Sequence, residues 1–81
     1  MQIFIKALSG KTTTLHVQPT HTIQHIKQML LATEGIPTEC VMLIYGGKQL
    51  VHHHYTLEQY HIKNESVMYL VVRLPGGKIN D

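Results

Sequence analysis

Tryptophan is absent from this 81-residue chain, and cysteine occurs once, as Cys40. A single cysteine excludes an internal disulfide framework, so the fold must rest on packing; the expectation is an intracellular chain. No apolar run approaches the ~18 residues of a membrane-spanning helix. The opening Met1-Gln2-Ile3-Phe4-Ile5-Lys6 lacks the long apolar stretch of a signal peptide. Charge is scarce: 15% of residues are Asp, Glu, Lys or Arg, against roughly 25% in soluble domains. Acids are scarcest of all, five in number with none before Glu34. Disorder requires high charge and few apolar residues, and 43% hydrophobic content excludes it. A net charge of +2 is too weak to argue nucleic-acid binding.

What the chain does have is histidine, seven residues against five acids. Full protonation would raise the formal charge from +2 to +9, so the surface charge depends strongly on pH. The length fits one small domain.

Met1, Ile3 and Ile5 alternate with Gln2, Phe4 and Lys6, the pattern of a half-buried strand. After the Ser9-Gly10 turn, Thr13, Leu15 and Val17 alternate with Thr12, Thr14 and His16. The short link predicts an antiparallel hairpin, which Pro19 ends. Thr22 is placed to cap a helix, and Ile23, Ile26 and Leu30 follow at helical spacing. Gly35 and Pro37 form a stop signal, so the helix is predicted over about 23 to 34. Val41 to Tyr45 and Lys48 to Leu50 read as strands around a Gly46-Gly47 turn. Residues 51 to 66 show no strong period, and Leu57, Tyr60 and Ile62 are the residues expected to pin a long surface crossing. Val67 to Arg73 reads as the last strand.

With these residues the chain resembles ubiquitin. Met1-Gln2-Ile3-Phe4, Leu8, Gly10-Lys11-Thr12, Thr22-Ile23, Lys27 and Glu34-Gly35-Ile36-Pro37 match in place. Leu43-Ile44, Gly47-Lys48-Gln49-Leu50, Thr56-Leu57, Glu65-Ser66, Leu70-Val71, Arg73-Leu74 and Gly76-Gly77 follow. The alignment spans residues 1 to 77, with one extra residue near His52-His53-His54-Tyr55. The resemblance implies an α+β fold of the β-grasp kind, a mixed sheet packed on one helix. Residues 1–74 are expected to form the domain and 75–81 a flexible tail.

The resemblance also implies a protein modifier and not an enzyme, with no cofactor and no metal. Gly76 and Gly77 are the conjugation site it implies, with Arg73 and Leu74 read by the ubiquitin-activating enzyme. That arginine separates ubiquitin from its nearest modifier relative. Leu8, Ile44, Gly47, Tyr69 and Val71 are the implied partner-binding residues, and Lys6, Lys11, Lys27 and Lys48 the implied acceptor lysines. The Met1 amine is kept for linear linkage. Expected partners are ubiquitin-binding domains, the activating and conjugating enzymes and processing proteases. A monomer in the cytoplasm and nucleus is expected, with neither nucleic acid nor membrane as partner.

Two departures matter. Lys78-Ile79-Asn80-Asp81 follow Gly77, so a free Gly77 carboxylate requires cleavage. Pro75 stands where ubiquitin has arginine, which removes one N–H donor and one cation. Near the patch, Met42 replaces an arginine and Tyr69 a histidine. Two other readings stay open: a non-conjugating ubiquitin-like domain of a longer protein, and a diverged duplicate with little function.

The rest of the sequence offers no catalytic machinery. Cys40 has no acid–base partner at a recognisable spacing and reads as an apolar filler. His52-His53-His54 cannot easily wrap one tetrahedral ion. Gln24 and His25 stand in the first helical turn where acids would favour the dipole, so a weaker fold at pH 5 than at pH 7.5 is expected.

Overall fold

The computed structural model describes residues 1–73; the tail expected at 75–81 and the expected site residues Leu74, Gly76 and Gly77 lie outside them. Strand β1 (Gln2–Ala7) turns back through Gly10 into β2 (Thr12–His16), pairing Ile3 with Leu15 and Ile5 with Thr13. Alternation puts Ile3, Ile5 and Leu15 inward, and all three are buried. Helix α1 (Ile23–Glu34) follows, then a 3-10 turn (Thr38–Cys40), β3 (Val41–Tyr45), β4 (Lys48–Gln49) and β5 (Val67–Val72). The sheet order is β2-β1-β5-β3-β4. Only β1 and β5 run parallel; the other neighbours are antiparallel. This is the β-grasp arrangement.

The helix begins and ends where its capping residues dictate. Thr22 is extended (φ −87°, ψ 166°), and its Oγ1 accepts from the His25 N–H at 3.1 Å. Such a cap contributes about 0.5–2 kcal/mol. Gly35 adopts φ 72°, a left-handed value open to glycine at little cost, and its N–H donates to Leu31 O. Ile23, Ile26 and Leu30 are fully buried against the sheet. Truncating such a residue to alanine costs about 2–5 kcal/mol. Cys40 is buried and free, the filler the sequence suggests.

The stretch after β4 lacks regular structure but is tightly bonded. Ile23 N donates to Tyr55 O and Gln24 N to His53 O, each at 3.0 Å. These are first-turn N–H groups that an isolated helix leaves without partners. Leu57 N donates to His21 O at 2.9 Å, and Glu58 N to Pro19 O at 3.0 Å. Leu57 and Ile62 are buried, and Tyr60 packs on the core from a half-buried position. His61 is held at φ 61° by its N–H on Glu58 O at 2.9 Å, an uncommon backbone state for a residue with a side chain.

Acid sensitivity enters at His21. Its Nδ1 accepts from the Gln18 N–H at 3.1 Å, which requires the neutral ring. Burial, the charge of His25, whose tilted ring has its centroid 4.2 Å away, and the N-terminal amine all hold its pKa below 6.5. The folded state therefore binds fewer protons here than the unfolded one. Stability is complete above about pH 6.5 and falls as pH drops from there toward the lower folded value. The thermal midpoint is expected to fall between pH 7.5 and pH 5. His21→Asn keeps an acceptor but cannot titrate, so part of that fall should vanish in thermal melts of the variant. An identical pH slope in both proteins would remove His21 from the account.

Candidate functional site

Alternation leaves the sheet face away from α1 uncovered by any other of the described residues. On it, β3 and β5 place Met42 opposite Val71 and Ile44 opposite Tyr69. Directly opposed residues share a face, so these four form one block. Tyr69 is 48% exposed; Met42, Ile44 and Val71 are half-buried. β1 continues the face through Phe4, opposite Val67, and Lys6, opposite Tyr69. Leu8 follows the Ala7–Leu70 pair, so it comes level with Val71, and it is 82% exposed. With Ala7, Ser9, Leu70 and Val72 it lines a shallow hollow of about 280 Å³. Leu8 thus extends the patch along the end of β5 and does not fill its centre.

Arg73 closes the far side. Its N–H donates to Cys40 O at 2.7 Å, and its Nη1 lies 3.5 Å from the Met42 sulfur. The residue implied for activating-enzyme recognition therefore borders the apolar patch. Gly47 sits in the β3–β4 turn at φ 80°, next to Gly46 at φ 62°. Two successive positive φ values are what a tight hairpin turn of this hand requires, and glycine meets both.

The four implied acceptor lysines are not equivalent. Lys6 and Lys48 are exposed on strands. Lys11 is exposed, but its Nζ lies 2.6 Å from Glu34 Oε1. That bond, helped by Thr13 Oγ1 on Glu34 Oε2 at 3.2 Å, holds the Glu34 carboxyl below its usual range. Lys27 is buried at 8% exposure, facing His53. The Met1 amine donates to Val17 O at 2.8 Å, so linear linkage would have to break that bond. The Lys27–His53 contact was not anticipated from the sequence. A signal was present, since Lys27 falls four residues after Ile23, on the helix's buried stripe.

Among the described residues, no three His, Cys, Asp or Glu side chains converge on a point that could hold a metal ion. No helix among them is long and apolar enough to cross a membrane.

Comparison with known proteins decides the class. The ubiquitin family model matches residues 3–75. The chain belongs to the ubiquitin family. Among curated proteins it is 42% identical to ubiquitin-like protein NEDD8 of Dictyostelium discoideum, covering 95% of this chain and 99% of that protein. It is 39% identical to ubiquitin-like protein 1 of Schizosaccharomyces pombe, over 95% and 97%. NEDD8-like protein RUB3 of Arabidopsis thaliana is 36% identical over 95% and 97%. Proteins of this class are modifiers and not enzymes, and this chain is a ubiquitin-like modifier at that general level.

The geometry gives a test of the patch. Ile44→Ala should weaken capture of a ubiquitin-binding domain at least several-fold in an NMR titration. Its thermal midpoint should fall less than that of Leu43→Ala, since Leu43 is fully buried and Ile44 is not. Undiminished binding, or chemical-shift changes confined to another face, would remove the patch as a docking surface.

Proposed function

We propose that the chain is a covalent protein modifier joined to targets through Gly77, and that the face around Ile44 is its docking surface for ubiquitin-binding domains. Hydrolysis of the Gly77–Lys78 bond adds water and frees the Gly77 carboxylate. An activating enzyme then joins that carboxylate to a nucleoside triphosphate as an acyl-nucleotide anhydride, releasing diphosphate, and its cysteine thiol displaces the nucleoside monophosphate to give a thioester. A target lysine amine displaces the thiolate, and an isopeptide bond results. In this reading the protein works in the cytoplasm and nucleus.

The observation that carries the proposal is the position of Arg73. It leaves β5 beside Met42, at the patch edge and three residues ahead of Gly76-Gly77. A partner reading Arg73 therefore meets the patch and the start of the tail together. Two of the relatives bear NEDD8 names, whereas arginine at this position is the ubiquitin-type feature. The ubiquitin-activating enzyme is accordingly the discriminating reagent.

Pro75 is the handicap. A missing N–H and a missing cation cost about 2–4 kcal/mol where an enzyme channel reads both. That is roughly 30- to 1,000-fold in affinity or rate. A chain ending at Gly77 should form a detectable but slow thioester, and Pro75→Arg should speed it at least tenfold on a thioester gel. Equal rates would show that the tail is not read at this position. No thioester from either chain would overturn the modifier proposal and favour the non-conjugating domain, which Pro75 already makes the second reading.

A further inference from the structure

Lys27 is the one charged residue buried among the described residues. A buried ammonium needs a partner, and carboxylates are the usual ones. None serves here. Among the described residues the single ion pair joins Lys11 to Glu34. The Lys27 Nζ lies instead 3.1 Å from His53 Nε2. An ammonium has donors and no acceptor, so the ring must offer a lone pair at Nε2. Only the neutral imidazole carrying its proton on Nδ1 does so.

The same residue ties a loop to the helix. His53 O accepts from Gln24 N, and two residues on Tyr55 O accepts from Ile23 N. The 52–55 segment therefore supplies the acceptors for the first two N–H groups of α1. Protonating His53 removes the acceptor from Lys27 and puts a second cation against it. Little nearby offsets that change. A hollow of about 260 Å³ at this place is lined by Gln24, Lys27, Thr38, Glu39, His53 and His54. Glu39, on the 3-10 turn, is its only carboxylate, and it is bonded to neither nitrogen. His54 adds a further titratable ring, and His52 is stacked on Tyr55 with centroids 4.6 Å apart.

We propose that Lys27 and His53 form an acid-released latch: protonation of His53 frees the 52–55 segment from the first turn of α1 and uncovers the Lys27 amine. The titration direction agrees with the geometry. The Lys27 charge first, then burial and then His54 hold the His53 pKa below 6.5. Burial likewise lowers the Lys27 pKa. The closed latch thus binds fewer protons than the open one, so opening is favoured as pH falls below about 6.5. The latch is independent of the tail and stands whether or not Gly77 is ever conjugated.

The test uses the full chain and amide hydrogen exchange followed by NMR at pH 7.5 and 5.5, corrected for intrinsic rates. The Leu50 amide, bonded to Leu43 O at 2.8 Å, serves as the internal reference. Protection of Gln24 and Ile23 should fall at least fivefold relative to Leu50 on acidification. His53→Gln keeps an acceptor and loses the titration, so its change should stay under twofold. The His53 ring should titrate below 6.5 in the wild-type chain and move upward in Lys27→Met. A His53 titration at or above 6.5 in the wild-type chain would overturn the proposal, whatever the variants do. Unchanged Gln24 protection, or an equal loss in His53→Gln, would overturn it as well.

Discussion

The parallel pairing of β1 with β5 is the contact from which the other positions follow. It joins the first described strand to the last, with Ile5 beside Met68 and Ala7 beside Leu70. Parallel neighbours cannot be linked by a tight turn, so the chain between them must leave the sheet and return. It does so through α1, which lies across one face, and through the crossing that follows β4. Ile5 and Met68 are buried as a consequence, while Lys6 and Tyr69 point the other way. The same pairing that seals the core therefore assembles the exposed patch. Leu8 follows β1 and Val71 lies on β5, and no local interaction would bring them together.

Acid scarcity shapes the rest. α1 has no acid in its first turn and no base in its last. It gains nothing from its dipole, and Glu34 at its C-terminal end is unfavourably placed. Lys11 offsets that charge directly. At the other end the caps and the carbonyls of His53 and Tyr55 hold the helix. Since the crossing is what satisfies the first turn, its attachment and the helix start are one structural unit. An imidazole in place of a carboxylate beside Lys27 makes that unit sensitive to protons, because the ring loses its acceptor on charging whereas a carboxylate keeps its own across the same range.

Much of this was legible in the sequence where the signal is local. The helix limits follow from Thr22 and Gly35, and the observed span Ile23–Glu34 matches. The hairpin register follows from alternation, with Ile3, Ile5 and Leu15 inward. The strand set was legible because Gly46-Gly47 and the Val67 run are short-range patterns. Residues 51 to 66 were not, because backbone bonds to distant partners fix them: Thr22 bridges to Thr56, and Glu65 N donates to Gln2 O at 2.6 Å. Pairings of that kind leave no periodicity. Lys27 escaped for a related reason. Its place on the buried stripe was readable, but its partner comes from a loop whose path was not.

The patch shows how two substitutions alter a surface without altering the fold. By the resemblance to ubiquitin, Met42 and Tyr69 stand where an arginine and a histidine would stand. Both lie on the uncovered face, paired with Val71 and Ile44. Cations are thereby removed from the centre, while Lys6 and Arg73 remain exposed beside it. The result is an apolar centre with a cationic rim, the division of labour of a docking interface. In the proposed docking role, apolar burial would carry the affinity and the rim charges would act on encounter and register. Rim charges are exposed and screened by salt, so binding proposed for this face would rest mainly on a contribution that salt does not weaken. Arg73 belongs to both parts: its charge is on the rim, and its Nη1 rests against the Met42 sulfur. The substitution that took a cation out of the patch thus also gave the remaining arginine its support.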